Sequence, residues 1–495
     1  MYRINQVPYL MKLSTLSIVF LFILFFSSSS YSQSADTSDK IKQVETNLSG
    51  PIREEGDKPS TIAGQMAHYN VKGVSVAVIH NYKLEWAKGY GWADEALKIP
   101  VTTKTLFQAA SISKSLNSVG VLKLVQDKKI DLYADINTYL TTWKFPYDSL
   151  SKGKKISIAN LLSHTGGLTV HGFPGYEKGR DTIPTIVQIL NGTKPANSPA
   201  IRSMYEPGLR SEYSGGGIVI SQLIVTDVTH QPYDKYMYDN VLKPLGMTSS
   251  TYAQPPVGVK PELLASAYYM DGKEVPGKYH IYPEQAPAGL WTNPTDLAKY
   301  IIETQLAYAG RSHKVLNQET TKLRLTPYID NGAALGVFID NPDNTKYFEH
   351  SGANEGFRCT YYGSLENGNG VVVMVNSDDE RIMPEIVNSV AKVYGFKGLY
   401  QSKLRKTVIV ADSVLEIYTG KYELQPKYFL TITREGNQLY GQPDGDQKFE
   451  IFPESQNKFF LKGAPIEVEF IKGSNGEIIK CIVYQGGPHD AKRVK

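Results

Sequence analysis

Cysteine is almost absent from this chain of 495 residues; only Cys359 and Cys481 occur. Two thiols so far apart rule out a disulfide framework as the main source of stability, and a single bridge between distant parts is the one pairing left open. Neither thiol has the neighbours expected of a metal site. A surplus of charge of one sign is also missing. The 53 Lys and Arg against 49 Asp and Glu leave +4, too little at this size to point to nucleic acid or a membrane surface as partner. There is no internal repeat. Long apolar runs are absent too, apart from Leu13 to Phe26, which follows Arg3 and Lys12 and precedes "SSSSYSQS". That run falls short of the ~20 apolar residues of a bilayer span. Ser30 and Ser32 satisfy the small-x-small rule, so the run predicts a signal peptide, 1–32, cleaved after Ser32. No cysteine lies near that site, which excludes a lipid anchor there. Cleavage removes two basic residues and no acidic one, leaving +2. The expected protein is exported, periplasmic or secreted, with no stable membrane span.

What remains is an ordinary globular composition, 41% hydrophobic and 21% charged, long enough for more than one domain. Residues 36–48 read as a short amphipathic helix. From Gly73, "GVSVAVIHNYKLEWAKGYGWAD" alternates like two strands with a turn at His80 to Tyr82. Helical periodicity appears at Gly217 to Val228, Pro294 to Ala309 and Met383 to Tyr394. Strands are expected at Tyr347 to Glu349, Phe357 to Ser364 and Gly370 to Ser377. Strands, helices, strands and a helix predict an α+β domain over 33–399, its antiparallel sheet completed by both ends of the segment. A basic stretch, 400–413, with Lys403, Arg405 and Lys406, reads as a solvated linker. From 414 to 495 short strands recur, with hairpin turns at Gly436-Asn437 and Asn475-Gly476, predicting a small all-β domain, sandwich or barrel.

Chemistry gathers around "SISK", Ser111 to Lys114. The apolar residues Leu116, Val119, Leu122 and Leu124 behind it predict a helix, which puts positions i and i+3 on one face. A serine hydroxyl needs a base, and a lysine whose pKa is lowered by burial can be that base. Two partners follow downstream. "RSEYSGGG" places Tyr213 before a glycine run that opens another helix; a tyrosine beside such a pair can shuttle protons. "FEHSGANEGFRC" places His350, Ser351 and Gly352 on a predicted strand. A glycine there lets a substrate lie against the strand edge, and the Ala353 N–H pairs with that of Ser111 as an oxyanion hole.

The order SxxK, Tyr-x-x, His-x-Gly resembles the penicillin-recognising serine hydrolases, and within them the branch of class C β-lactamases, D-Ala-D-Ala carboxypeptidases, D-aminopeptidases and lactamase-like esterases. "TLFQAASISKS", "ISIANLLSHTGGLT", "EPGLRSEYSGGG", "LKPLGMTSSTY", "APAGLWTNPTDLAKY" and "EHSGANEGFRC" carry the likeness between Gly73 and Tyr394. The tail, with "YTGKYEL", "IFPES" and "YQGG", is similar to the lipocalin-like domain that follows some of these enzymes. The resemblance implies a β-lactamase/transpeptidase-like fold, with Ser111 acylated and Lys114 and Tyr213 as base and relay. It also implies that His350 orients substrate or tunes Tyr213, and that Ser111 and Ala353 N–H groups, beside Gly352, bind the oxyanion. His164, in "LLSHTGG", reads as a structural residue tying a turn.

Two positions depart from that pattern. The usual second motif is Tyr-x-Asn, and its third position here is Gly215, which lacks the amide donor. The third motif carries His350 in place of lysine, and a histidine near its reference pKa offers no permanent charge to an antibiotic carboxylate. Both departures weaken a β-lactamase reading and leave acyl transfer intact. The expectation is an exported serine hydrolase with no metal or organic cofactor, acting on a small molecule or peptide. In order of preference it is a peptidase or amidase, a carboxylesterase, or a class C-like β-lactamase. The alternative from another class is a catalytically silent binding protein. The sequence leaves the oligomeric state open.

Overall fold

The computed structural model describes residues 36–179, 181–329, 332–445, 448–462, 464–485 and 487–494. The expected signal peptide and its cleavage site lie outside these. A seven-stranded antiparallel sheet organises the first domain. After β1 (Ile52–Glu54), its strands are β2 (Gly73–His80), β3 (Lys83–Asp94), β4 (Ile99–Pro100), β5 (Phe338–Asp340), β6 (Tyr347–Asn354), β7 (Phe357–Ser364) and β8 (Gly370–Val375), in the order β4-β3-β2-β8-β7-β6-β5. Both ends of the domain therefore meet in one sheet, β2 lying beside β8. The β2–β3 turn uses Asn81 and Tyr82 at φ of 51° and 63°, the positive values that a two-residue turn between twisted strands requires.

β2 reads as a nearly unbroken apolar run because both of its faces are covered. Val74, Val76 and Val78 join one core with Val371, Val373 and Val375, and the helix Ile382–Tyr394 closes this side. Ala77 and Ile79 face the other way, into the larger core with Val372 and Met374. Seven helices matter to the argument: α1 (Ser113–Gln126), α2 (Ile158–Leu162), α3 (Gly215–Thr229), α4 (Gln285–Ala288), α5 (Pro294–Tyr308), α6 (Ile382–Tyr394) and α7 (Asp412–Tyr418). The first five lie on the large-core side and α6 on the opposite side. α1 is buried on nearly every face, which explains why "SKSLNSVG" shows weak amphipathic periodicity. Its small polar residues are bonded rather than solvated: Asn117 Nδ2 donates to Ser221 Oγ at 3.0 Å and Tyr233 donates to Asn117 Oδ1 at 2.9 Å. Gly120 is the point of closest approach; a Cβ there would lie 2.6 Å from the Met237 sulfur.

The segment read as a solvated linker is part of the fold. Residues Lys403–Arg405 form β9, which pairs in parallel with β1. Arg405 makes ion pairs with Glu454 and Glu467 of the second domain, and Lys462 reaches Glu54 at 2.7 Å. Arg405 read as solvated because its acidic partners, Glu454 and Glu467, lie far downstream in the sequence, whereas Lys403 and Lys406 are exposed as expected. The second domain is a closed eight-stranded barrel, strands Gly420–Gln425, Tyr428–Glu435, Gln438–Pro443, Phe449–Pro453, Lys458–Phe460, Glu467–Lys472, Ile478–Tyr484 and Pro488–Val494. Its interior is filled by side chains such as Leu430, Ile432, Phe459, Phe470 and Cys481. Tyr418 of α7 stacks on Phe470 at 4.3 Å and packs into this core. Cys359 and Cys481 sit buried and unpaired in different domains.

Candidate active site

Ser111 lies in a 3-10 turn, Ala110–Ile112, that runs directly into α1. The turn is pinned by the Ala109 N–H donating to the Leu290 carbonyl at 2.8 Å. Ala110, beside the serine, has φ of +47°. A residue with a Cβ held there costs roughly 1–3 kcal/mol, so the surrounding packing imposes the conformation. Lys114 follows one turn later. Its Nζ donates to Ser111 Oγ at 2.9 Å and to the Pro287 carbonyl of α4 at 2.9 Å. Both acceptors are uncharged, so nothing repays the loss of hydration. Burial alone draws the ammonium down from 10.5 to about 7. Neutral amine is thereby available to Ser111 near neutral pH. The Pro287 acceptor was not foreseen; "APAGLWTN" marked the segment without showing that its backbone faces the lysine.

Tyr213 is held in front of this pair. The next residue, Ser214, caps α3 by accepting the Gly217 N–H at 3.0 Å. Lys114 Nζ sits 4.9 Å from the centre of the Tyr213 ring. Burial raises the phenol well above its ordinary range, a hydrogen bond with Ser111 opposes this, and Glu349 adds to the rise. Tyr213 is therefore a protonated phenol at neutral pH.

His164 grips the tyrosine segment from three sides. Its carbonyl accepts the Glu212 N–H at 2.8 Å, its Nδ1 accepts the Ser214 N–H at 3.2 Å, and its ring lies 4.4 Å from that of Tyr213. Burial and the nearby Lys114 charge keep the imidazole neutral, well below its usual pKa. The turn it ties, expected from sequence, is the one that carries Tyr213. Phe338 at the end of β5 completes the surround, 6.4 Å from Tyr213 and 5.4 Å from His350.

His350 is on β6, buried. Burial first, then the charge of Lys114, lowers its pKa to about 3, with the Ser351 carbonyl opposing. The expectation of a near-reference histidine is corrected: this imidazole is neutral throughout the physiological range. Nδ1 lies 2.6 Å from the Ser351 carbonyl, which can only accept, so the ring proton sits on Nδ1. Nε2 is then a bare acceptor, buried and without a partner among the described residues. β5 pairs with β6 only as far as Glu349, so among the described residues no strand lies beside the edge from His350 onward.

Gly352 meets the nucleophile's turn. A Cβ on it would lie 2.4 Å from the Ala109 carbonyl oxygen and 3.0 Å from the Ser111 nitrogen. The glycine is therefore required by the chain's own approach to Ser111; the expectation that it makes room for substrate is corrected. Ala353 follows on the same strand and is exposed. Gly215 is not open ground either. A Cβ there would lie 2.9 Å from the His171 carbonyl and 3.1 Å from the Phe173 ring. Ser111, Lys114, Tyr213, His350 and Gly352 are thus brought together from the turn before α1, α1 itself, the residue before the α3 cap, and β6. Among the described residues no group of three His, Cys, Asp or Glu is placed to hold a metal ion.

Residues 59–389 match the family described as Beta-lactamase. The chain belongs to the beta-lactamase family. Residues 404–491 match a domain of unknown function, DUF3471. Protein flp of Staphylococcus aureus (strain N315) is 25% identical over 346 residues, 69% of this chain, and the chain spans 66% of that relative's length. Penicillin-binding protein 4* of Bacillus subtilis (strain 168) is 22% identical over 82% of this chain and 91% of its own. Among solved structures, the octameric penicillin-binding protein homologue from Pyrococcus abyssi has a TM-score of 0.60 at 22% identity, covering 87% of this chain and 98% of its own. D-amino acid amidase from Ochrobactrum anthropi SV3, complexed with L-phenylalanine, has a TM-score of 0.56 at 20% identity, covering 72% and 99%. Enzymes of the beta-lactamase family are serine hydrolases, and the SxxK pair of this member has the geometry such chemistry needs.

Proposed function

We propose that the chain is an exported serine hydrolase that acylates Ser111 and releases the leaving group of small amides or peptides. The observation that carries this reading is Lys114, buried, uncompensated and 2.9 Å from Ser111 Oγ. Neutral Lys114 takes the Ser111 proton as Oγ bonds to the substrate carbonyl carbon. The resulting oxyanion is received by the Ser111 and Ala353 N–H groups. Tyr213, protonated, gives its proton to the leaving nitrogen or oxygen as that bond breaks, and regains one from the Lys114 ammonium. The acyl group ends on Ser111 and one proton has moved from Ser111 to the leaving group. A water molecule repeats the sequence with the same base and frees the acid. The low pKa of Lys114 and the high pKa of Tyr213 divide the labour between base and acid.

A neutral His350 places no positive charge where a β-lactam carboxylate would need one, which favours amides over antibiotics. The relative named as a D-amino acid amidase points the same way. The absent side chain at Gly215 favours a second reading, a carboxylesterase, since esters depend less on amide-specific contacts. Export is supported by the apolar run Leu13 to Phe26 and the small residues after it. The test is ammonia release from D- and L-phenylalaninamide, with intact mass after benzylpenicillin, for wild type and Ser111→Ala. Release and a mass adduct that both need Ser111 are expected. Release that survives Ser111→Ala would sink the reading.

A further inference from the structure

The stretches that carry the chemistry lie far apart in the sequence, and two buried amides tie them together. Asn354 ends β6, next to Ala353. Gln108 lies on the short strand Phe107–Gln108, which leads into the turn of Ser111 and pairs with Trp291–Thr292. Both side chains are buried. Asn354 Nδ2 donates to Gln108 Oε1 at 2.7 Å and to the Ala288 carbonyl at 3.1 Å. Gln108 Nε2 donates to the His280 carbonyl at 2.7 Å. Backbone carbonyls only accept, so Ala288 and His280 fix which way both amides point. Ala288 follows Pro287, whose carbonyl holds Lys114. One asparagine therefore spans the strand of Ala353, the approach to Ser111 and the acceptor of Lys114. Apolar side chains would fill this space without the cost of burying polar atoms. What a satisfied amide pair adds is one defined geometry.

We infer that Asn354, anchored by Gln108, is a positioning residue of the acyl-transfer site: it sets how Ala353, Ser111 and the Pro287 carbonyl stand relative to one another. The inference rests on the acyl-enzyme reading above and adds to it two residues that touch no reacting group. Misplacing reacting groups by about 1 Å costs about a hundredfold in rate, which is the scale expected when the tie is cut.

The experiment uses the full chain, well below the melting temperature of each variant, with values taken per folded molecule. Two quantities are read. One is kcat/KM for p-nitrophenyl acetate, which reports acylation of Ser111. The other is the Kd of phenylboronic acid, whose boron bonds to Ser111 Oγ as a tetrahedral anion while the serine proton passes to Lys114. Asn354→Leu, similar in size and without a donor, should lower kcat/KM about a hundredfold and weaken phenylboronic acid in step. Gln108→Met leaves Asn354 its bond to Ala288 and should cost about tenfold on both, the scale of one hydrogen bond; it decides the matter if Asn354→Leu does not fold. Exchanging the pair, Gln108→Asn with Asn354→Gln, keeps two amides and their summed length, and should recover most of what Asn354→Gln alone loses. A lowered melting temperature with both quantities unchanged would reduce the amides to structural ties and overturn the inference, leaving the hydrolase reading standing. Slower ester hydrolysis at unchanged phenylboronic acid affinity, or an exchange that recovers nothing, would do the same. Wild type that neither takes an acetyl group on Ser111 nor binds phenylboronic acid would overturn both.

Discussion

Lys114 donates to a hydroxyl and a carbonyl, and among the described residues no carboxylate pairs with its Nζ. A pKa lowered by burial has a definite signature. As pH falls through about 7 the amine gains a proton and the base is lost, so kcat/KM should drop about tenfold per pH unit below that point. Lys114→Arg should abolish turnover, because a guanidinium stays charged at any workable pH. His350, lowered to about 3, titrates too low to produce this limb. His350→Gln should therefore leave the limb near 7 in place; its disappearance would reassign the titration. His164 permits a finer dissection. His164→Asn keeps an acceptor for the Ser214 N–H, whereas His164→Phe keeps the ring and leaves that buried N–H unpaired. An unpaired buried donor costs about 1–3 kcal/mol. His164→Phe should lower kcat by about ten- to a hundredfold with KM little changed, and His164→Asn should retain most of the rate. Equal kcat in the two variants would show that the acceptor does not position Tyr213.

At the scale of elements, the site is a junction between β6 and the turn before α1, and Gly352 sets how close they come. Gly352→Ala would drive a Cβ to 2.4 Å from a backbone carbonyl that has no freedom to move aside. Overpacking of this kind costs typically 1–3 kcal/mol, and here the strain falls on the residues that carry Ser111. A lowered melting temperature together with slower acylation is expected; full acylation by the same reagent would show that the turn relaxes at no functional loss. Elements of this sort were legible where one strong local rule applied. The SxxK spacing gave Ser111 and Lys114 because i and i+3 share a helical face. The two strands from Gly73 were expected from alternation, but β2 is apolar on both faces because both are covered, and the turn at His80 to Tyr82 is the local signal that holds. What stayed hidden was backbone met from far away. The Pro287 carbonyl, the His171 carbonyl behind Gly215 and the true reason for Gly352 depend on atoms that carry no residue identity.

On the scale of the whole molecule, the barrel is held to the hydrolase domain by a short parallel pairing and a cluster of charge. β9 lies along β1, Arg405 bridges Glu454 and Glu467, Lys458 reaches Glu467 at 2.5 Å, and Lys462 reaches Glu54. Side chains of Arg405 and both its carboxylates are about four-fifths buried, at 21%, 24% and 19% exposure, so the pairs are shielded from salt more than surface pairs are. Removing the arginine leaves Glu454 and Glu467, with part of their hydration gone, to Lys458, which reaches both. Arg405→Met should therefore weaken the junction by about 1.5–3 kcal/mol, the range for hydrogen bonds to charged groups. Both cores, with Val371 and Ile386 on one side and Phe459 and Phe470 on the other, are independent of that side chain. The expected outcome is selective. Limited proteolysis should cut Arg405→Met between 395 and 413 faster than wild type, releasing a barrel that resists further digestion, while Ser111 still accepts an acyl group. If the variant is cut no faster, the strand pairing of β1 with β9 is sufficient by itself and the charge cluster contributes little. If acylation is lost with the junction intact, the barrel communicates with the site through β5, whose Phe338 packs on Tyr213 and whose far end leads through Pro342 to its contact with Gly398.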